Sequence, residues 1–302
     1  MGRARPEADA VTLLAALTGA VMVSFSAILF ELSDTNAVTG SFFRAAYAVP
    51  VLIAIWLVRR GEDRRGPGLR WLALGAGIAL GIDVVLWHTA INYIGTGLAT
   101  LIANSQVIFV AIAAWLLHAE RPARNVLIAI PVVLAGVALV SGVGQDGAFG
   151  DNPALGTILA LVAAVFYATF LLAYRASNAG SGPTAGPLME ATTGAMLASL
   201  AIGGVRGDLH LAPEWPSHGW LLALALGAQV IAWLMIGYAL PRLPAVETST
   251  IILLQPALTM VWGAIIFSES PSSLQMAGAG LVLLGVGAVA FTRARDPVTA
   301  TT

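Results

Sequence analysis

Ten runs of predominantly apolar residues follow one another along the chain, at roughly 11–30, 38–58, 70–90, 95–117, 124–142, 153–174, 184–205, 218–239, 244–267 and 273–292. A helix needs about 20 such residues to cross the hydrocarbon core of a bilayer. Charged, Pro or Gly clusters bound each run. Only 10% of the 302 residues are charged, against about a quarter in soluble domains. Several connections are very short, so neighbouring helices run antiparallel. The reading is an all-α membrane protein of ten transmembrane helices, with no room for a large soluble domain. The charged N-terminus, MGRARPEADA, leads straight into the first run without a small-residue cleavage site, so that run is read as a retained helix.

Arginine placement orients the helices. Arg3 and Arg5, Arg59 to Arg70, Arg121 and Arg124, Arg175, Arg242, Arg293 and Arg295 all fall on one side if every run crosses once. Only Arg206 falls on the other side, and Arg44 lies inside the second run. Basic residues mark the cytoplasmic face, so both termini are expected there, in a bacterial inner (plasma) membrane.

The chain also repeats itself. A shift of 149 residues superposes Trp71-Leu72 on Trp220-Leu221, Ala90 on Ala239, Gln106 on Gln255, Glu120 on Glu269, Pro122 on Pro271 and Gly136 on Gly285. Earlier runs need a shift of 142. Each copy holds five helices, an odd number, so the copies face opposite ways across the membrane. Arg121 and Arg124 on the cytoplasmic side correspond to Ser270 and Ser273 on the external side. The expected organisation is two inverted five-helix repeats, residues 1–150 and 151–302, around a central cavity.

The segments AINYIGTGLATLIANSQVIFVAIAAWLLHAERP (90–122) and ALPRLPAVETSTIILLQPALTMVWGAIIFSESP (239–271) resemble the core of the EamA domain, as does the arginine of FFRAAYA (42–48). The resemblance spans nearly the whole chain and implies the drug/metabolite transporter superfamily. Ten helices, internal termini, a cavity between the halves and export of amino acids or related metabolites follow from it as expectations. Length and aromatic content are similar to the YddG-like amino-acid exporter branch, so aromatic or other apolar amino acids are the expected solutes. Other small metabolites or drugs are the alternative. The family's motifs are structural and fix no substrate.

Other functions lack their residues. There is no cysteine, which excludes disulfides, thiolate metal sites and Cys nucleophiles. There is no lysine, which removes the P-loop Lys and Schiff-base chemistry. The net charge of −1 carries no nucleic-acid footprint. The four histidines sit in loops and near helix ends, with no HExxH or GxSxG motif. A membrane enzyme, or a channel with a ring of like charges, is therefore disfavoured. No metal or cofactor is expected. The partners are a small solute and the lipid bilayer, for a monomer or homodimer.

Polar residues at mid-membrane depth are the candidate solute ligands, because inverted-repeat transporters bind near the midplane. Gln106 and Gln255 are about twelve residues into their helices and are equivalent under the repeat. Their amides suit a zwitterion, or alternatively tie two helices together. Asp83 is an intramembrane acid, a functional-site hypothesis by default. Trp87 lies one turn from it and His88 just beyond; Asp83 and His88 are read as opening outward to bind an ammonium or relay protons. Gln229 and Trp233 share a face at i, i+4, and Tyr167 joins them; plain packing is the competing account. Pro256 is a candidate hinge and Glu247 a candidate gate. Arg44 and Glu190 enter from opposite faces, each about 10 Å deep at 1.5 Å per residue, so no direct bond between them is expected. Glu120 and Glu269 are expected at helix N-termini, where the dipole favours a carboxylate. Gly77 and Gly81 are read as a close helix contact rather than a nucleotide loop.

Overall fold

A computed structural model describes residues 10–118, 124–178, 184–212, 214–239 and 245–295. Glu120, Arg121 and Pro122 lie outside these, as does the side chain of Glu247. Among the described residues there is no β-strand. The helices are α1 (Ala10–Ser24), α2 (Ser26–Leu32), α3 (Ala37–Arg59), α4 (Pro67–Ala103), α5 (Gln106–His118), α6 (Arg124–Val140), α7 (Pro153–Ser177), α8 (Ala185–Arg206), α9 (Ser217–Ala223), α10 (Ala232–Ala239), α11 (Ala245–Phe267) and α12 (Ser273–Arg295). A π-helical segment, Leu224–Ile231, joins α9 to α10.

Among the described residues six stretches are long and apolar enough to cross a membrane: Ala10–Leu32, Ala37–Glu62, Pro67–Ala113, Pro153–Ser177, Ala185–Arg206 and Ser217–Ala239. Val126–Val140, Leu253–Phe267 and Ser273–Val289 are shorter apolar helices. The outward faces carry bare apolar side chains, with Leu116 74% and Leu284 71% exposed. Water would penalise such a surface; lipid does not.

Local sequence sets where the helices start, stop and break. The Asn36 side chain accepts from the Thr39 amide at 2.8 Å and caps α3. Asn152 does the same for α7, ahead of Pro153 in its first turn. Gly207, at φ +70°, closes α8 in the left-handed conformation. Inside α4 the backbone leaves helical geometry at Gly95, where φ is +78° and ψ is 170°. A side chain there would also strike the Glu269 carboxyl. That carboxylate accepts from the Thr96 amide at 2.5 Å, the Thr96 hydroxyl at 2.7 Å and the Gly97 amide at 3.1 Å. Glu269 therefore caps a helix start, as its position implies, but the helix is the resumed half of α4 rather than the adjoining α12.

Packing follows the small residues. Gly77 and Gly81 of α4 bring its backbone against Ala191 and Ala195 of α8, and Gly194 returns the contact onto Leu74 and Gly77. Gly136 of α6 and Gly278 of α12 face each other's carbonyls in the same way. Helix α4 also lies along α7, α3 along α8 and the π segment, and α1 along α10 and α11. The main core gathers Ile94, Leu98, Leu101 and Ile102 of α4 with Ala160 and Ala163 of α7.

Candidate functional site

The interior of this apolar bundle holds a connected polar group centred on an arginine. Arg44 projects from α3, buried to 7% exposure. Its Nε donates to Gln229 Oε1 at 2.9 Å and its Nη1 to Ser26 Oγ at 2.9 Å. Gln229 stands on the π segment, and its Nε2 donates to Thr192 Oγ1 of α8 at 3.2 Å. That second bond fixes which end of the amide faces Arg44. Two elements thus hold the guanidinium directly and a third, α8, through Gln229.

Asp83 of α4 borders the same region. Ala45, next to Arg44, packs in one cluster with Leu80 and Val84, which flank Asp83, and with Phe170 of α7. Tyr167 and Trp233 pack against that cluster. Trp233 meets Phe170 edge-on at 5.8 Å. Arg44, Asp83 and Tyr167 lie within electrostatic reach of one another. Asp83 is 6% exposed, and among the described residues its carboxylate has no hydrogen bond and no ion pair.

The structure therefore brings Asp83, Tyr167, Gln229 and Trp233 together and places the other candidates elsewhere. His88 is stacked flat on Phe30, with ring centroids 3.7 Å apart. Its Nδ1 lies 3.0 Å from Ser41 Oγ, whose own hydrogen goes to the Ala37 carbonyl at 2.6 Å, so the imidazole N–H donates. Trp87 belongs to the main core. The Gln106 amide turns back on the Ala103 and Asn104 carbonyls at 2.6 and 2.8 Å, where α4 gives way to α5. Gln255 is half-buried in α11, and its backbone carbonyl accepts from the Thr259 hydroxyl at 3.0 Å. Pro256 is buried within α11, which runs through it unbroken. Arg44, Ser26 and Thr192 complete the group. A charge inside a span flagged Arg44; nothing in the sequence distinguished Ser26 or Thr192 from other small helix residues.

Arg44 and Glu190 do not meet, as their depths require. Glu190 accepts from Arg65 Nη1 at 2.8 Å and lies 4.0 Å from Arg70. Arg65 also bonds Asp63 through Nε and Nη2, each at 2.9 Å, and Trp56 Nε1 adds a bond to Asp63 at 3.1 Å. The Arg65 hydrogen bonds hold the Asp63 carboxyl down at about 2. A cavity of about 620 Å³ opens beside this cluster, lined by Arg65, Pro67, Arg70, Trp71, Leu74 and Glu190. Another, of about 280 Å³, lies beyond the opposite end of α3, between Phe30, Glu31, Asp34, Thr35, Asn36 and Asn92. Between these ends, Arg44, Asp83, Gln229 and Thr192 are all buried.

An apolar helical bundle with a buried polar interior defines the class: a multi-pass membrane protein with a polar group held between its helices. The chain belongs to the EamA-like transporter family, which it matches twice, over residues 8–142 and 154–291. It is similar to the threonine/homoserine exporter RhtA of Escherichia coli K12, 26% identical over 266 residues, covering 86% of this chain and 83% of that one. An uncharacterized transporter of Archaeoglobus fulgidus is 25% identical over 277 residues, covering 87% and 92%. A solved crystal structure shares the fold at a TM-score of 0.63 and 20% identity, covering 94% of this chain and 99% of that chain.

Proposed function

We propose that the protein is a secondary transporter that exports small amino acids from a bacterial cell by alternating access. The carrying observation is the Arg44–Gln229–Thr192 group with Asp83, an investment of buried polarity in a bundle that is otherwise apolar. Intramembrane ionisable residues are costly and mark solute pathways. The similarity to a threonine/homoserine exporter supports the amino-acid class. Trp233, Tyr167 and Phe170 supply an apolar wall for a solute side chain.

The moving parts in this reading are residues 1–150 and 151–302, two inverted halves of five crossings each. The apolar helical stretch from Pro67 to Ala113 is 47 residues, about 70 Å if it were one straight helix at 1.5 Å per residue. With its break at Gly95 it accounts for two crossings. The packing supports the inversion. Exchanging the first five crossings for the second five turns the contact of α4 with α8 into that of the π segment with α3. The contacts of α3 with α8 and of α6 with α12 map onto themselves. The arginine-rich end, with both termini, is the cytoplasmic one.

Purified protein in liposomes tests the function. Loading with unlabelled threonine is expected to accelerate uptake of labelled threonine, with a rate that saturates. Non-saturating flux without counterflow makes the protein a channel, and chemical conversion of the solute makes it an enzyme.

A further inference from the structure

We propose that Arg44 and Asp83 are the two jaws of a clamp that reads both charges of a zwitterion, the solute carboxylate at Arg44 and its ammonium at Asp83. The proposal rests on the transport reading above and assigns the chemistry of its site.

The donors and acceptors left over carry the argument. A guanidinium has five N–H donors, and Arg44 spends two of them, on the neutral oxygens of Gln229 and Ser26. The other three have no acceptor among the described residues. A carboxylate takes donors, and Asp83 receives none from the described residues. Buried groups in this state are rare and call for an explanation. The simplest relief would be an Arg44–Asp83 ion pair, which low dielectric would strengthen. It does not form, because Gln229, itself anchored on Thr192, holds the guanidinium from one side and Ser26 from the other. A guanidinium and an unpartnered carboxyl kept near each other and apart fit a solute with a negative and a positive group on neighbouring atoms. A single anion would satisfy Arg44 and leave Asp83 bare, and a single cation would do the reverse. The Tyr167, Phe170 and Trp233 wall receives the side chain.

The full chain in detergent, followed by thermal shift, separates these cases. Threonine is expected to stabilise the protein, and threonine amide and 1-amino-2-propanol to need at least about tenfold higher concentration, the loss of one charge-assisted hydrogen bond. Arg44→Gln should bind threonine and its amide equally. Arg44→Lys, which keeps the charge, should still prefer the acid. Asp83→Asn should bind threonine and 2,3-dihydroxybutyrate equally. The melting temperature of each unliganded variant reports whether it has folded. Equal response of the wild-type protein to threonine and its amide overturns the clamp, as does an Arg44→Gln variant that keeps the preference. So does no response to threonine, leucine or phenylalanine. Discrimination in binding without counterflow in liposomes leaves the clamp standing and removes the transport function; counterflow without discrimination does the opposite.

Discussion

The two ends of the bundle fasten a loop in the same way with different chemistry. At the arginine-rich end the loop between α3 and α4 docks on α8 through Arg65, which joins Asp63 to Glu190. Arg65, Asp63 and Glu190 side chains are 6%, 0% and 11% exposed. At the other end the loop after α8 docks on the start of α3. Asn36 Nδ2 donates to the Asp208 carbonyl at 2.6 Å and to His210 Nδ1 at 3.0 Å, and the His210 amide donates to Thr39 Oγ1 at 3.0 Å. The ion pair present there, Arg206–Asp208, is half in water at 51% and 30% exposure. Opening the first end means separating buried charges. Opening the second means separating neutral groups that water can replace. The proposed alternating-access cycle would meet a stiff latch at one end and a soft one at the other.

Mutation can break this contrast. Arg65→Gln has the largest expected effect, because it strands two buried carboxylates. Removing one partner of a buried pair costs about 3–5 kcal/mol. Arg70, 3.8 Å from Asp63 and 4.0 Å from Glu190, shares the load and puts the expectation at the low end. Unfolding in mixed detergent micelles measures it, and a loss below about 1 kcal/mol would make the latch no stronger than a surface pair. Asn36→Ala comes next, at about 1–2 kcal/mol, for a lost helix cap and two hydrogen bonds. His210→Ala should cost about 0.5 kcal/mol or less. If the order of these three were reversed, the contrast would be wrong.

Acid sharpens the same contrast. Asp63 is depressed from 3.8 to about 2 in the folded protein, so its contribution is complete above the unfolded value. It is lost as the pH falls from about 4 towards 2. The stability advantage of the wild-type protein over Asp63→Asn should hold near neutrality and shrink across that window. An advantage independent of pH would remove the ionised Asp63 from the latch.

How much of this was legible in the sequence depended on whether the signal was one of depth or of direction. Apolar runs and short connections give helices, and glycines one turn apart give the Gly77–Gly81 contact with α8. Counting residues from each face kept Arg44 from Glu190. Depth alone could not say where a side chain turns. Asp83 and His88 are five residues apart, so they project from α4 in different directions. His88 meets Ser41 and Phe30, while Asp83 borders Tyr167 and the Arg44 group. Gln106 has the depth of a solute ligand, but it follows a break in the helix, and its amide goes to the carbonyls released there. Gln229 was visible as a polar residue one turn from Trp233. Its direction comes from the π segment, which changes the number of residues per turn and has no signature in composition.

The Glu269 cap has a consequence for the order of synthesis. The amides of Thr96 and Gly97 leave the ribosome early, and the carboxylate that satisfies them is encoded more than half the chain later, at separations of 173 and 172 residues. Until it arrives, the resumed half of α4 has a bare helix start. A helix start made early in the chain is thus completed by the last hairpin to be made. Halves translated as separate polypeptides should accumulate only when both are present in the same cell.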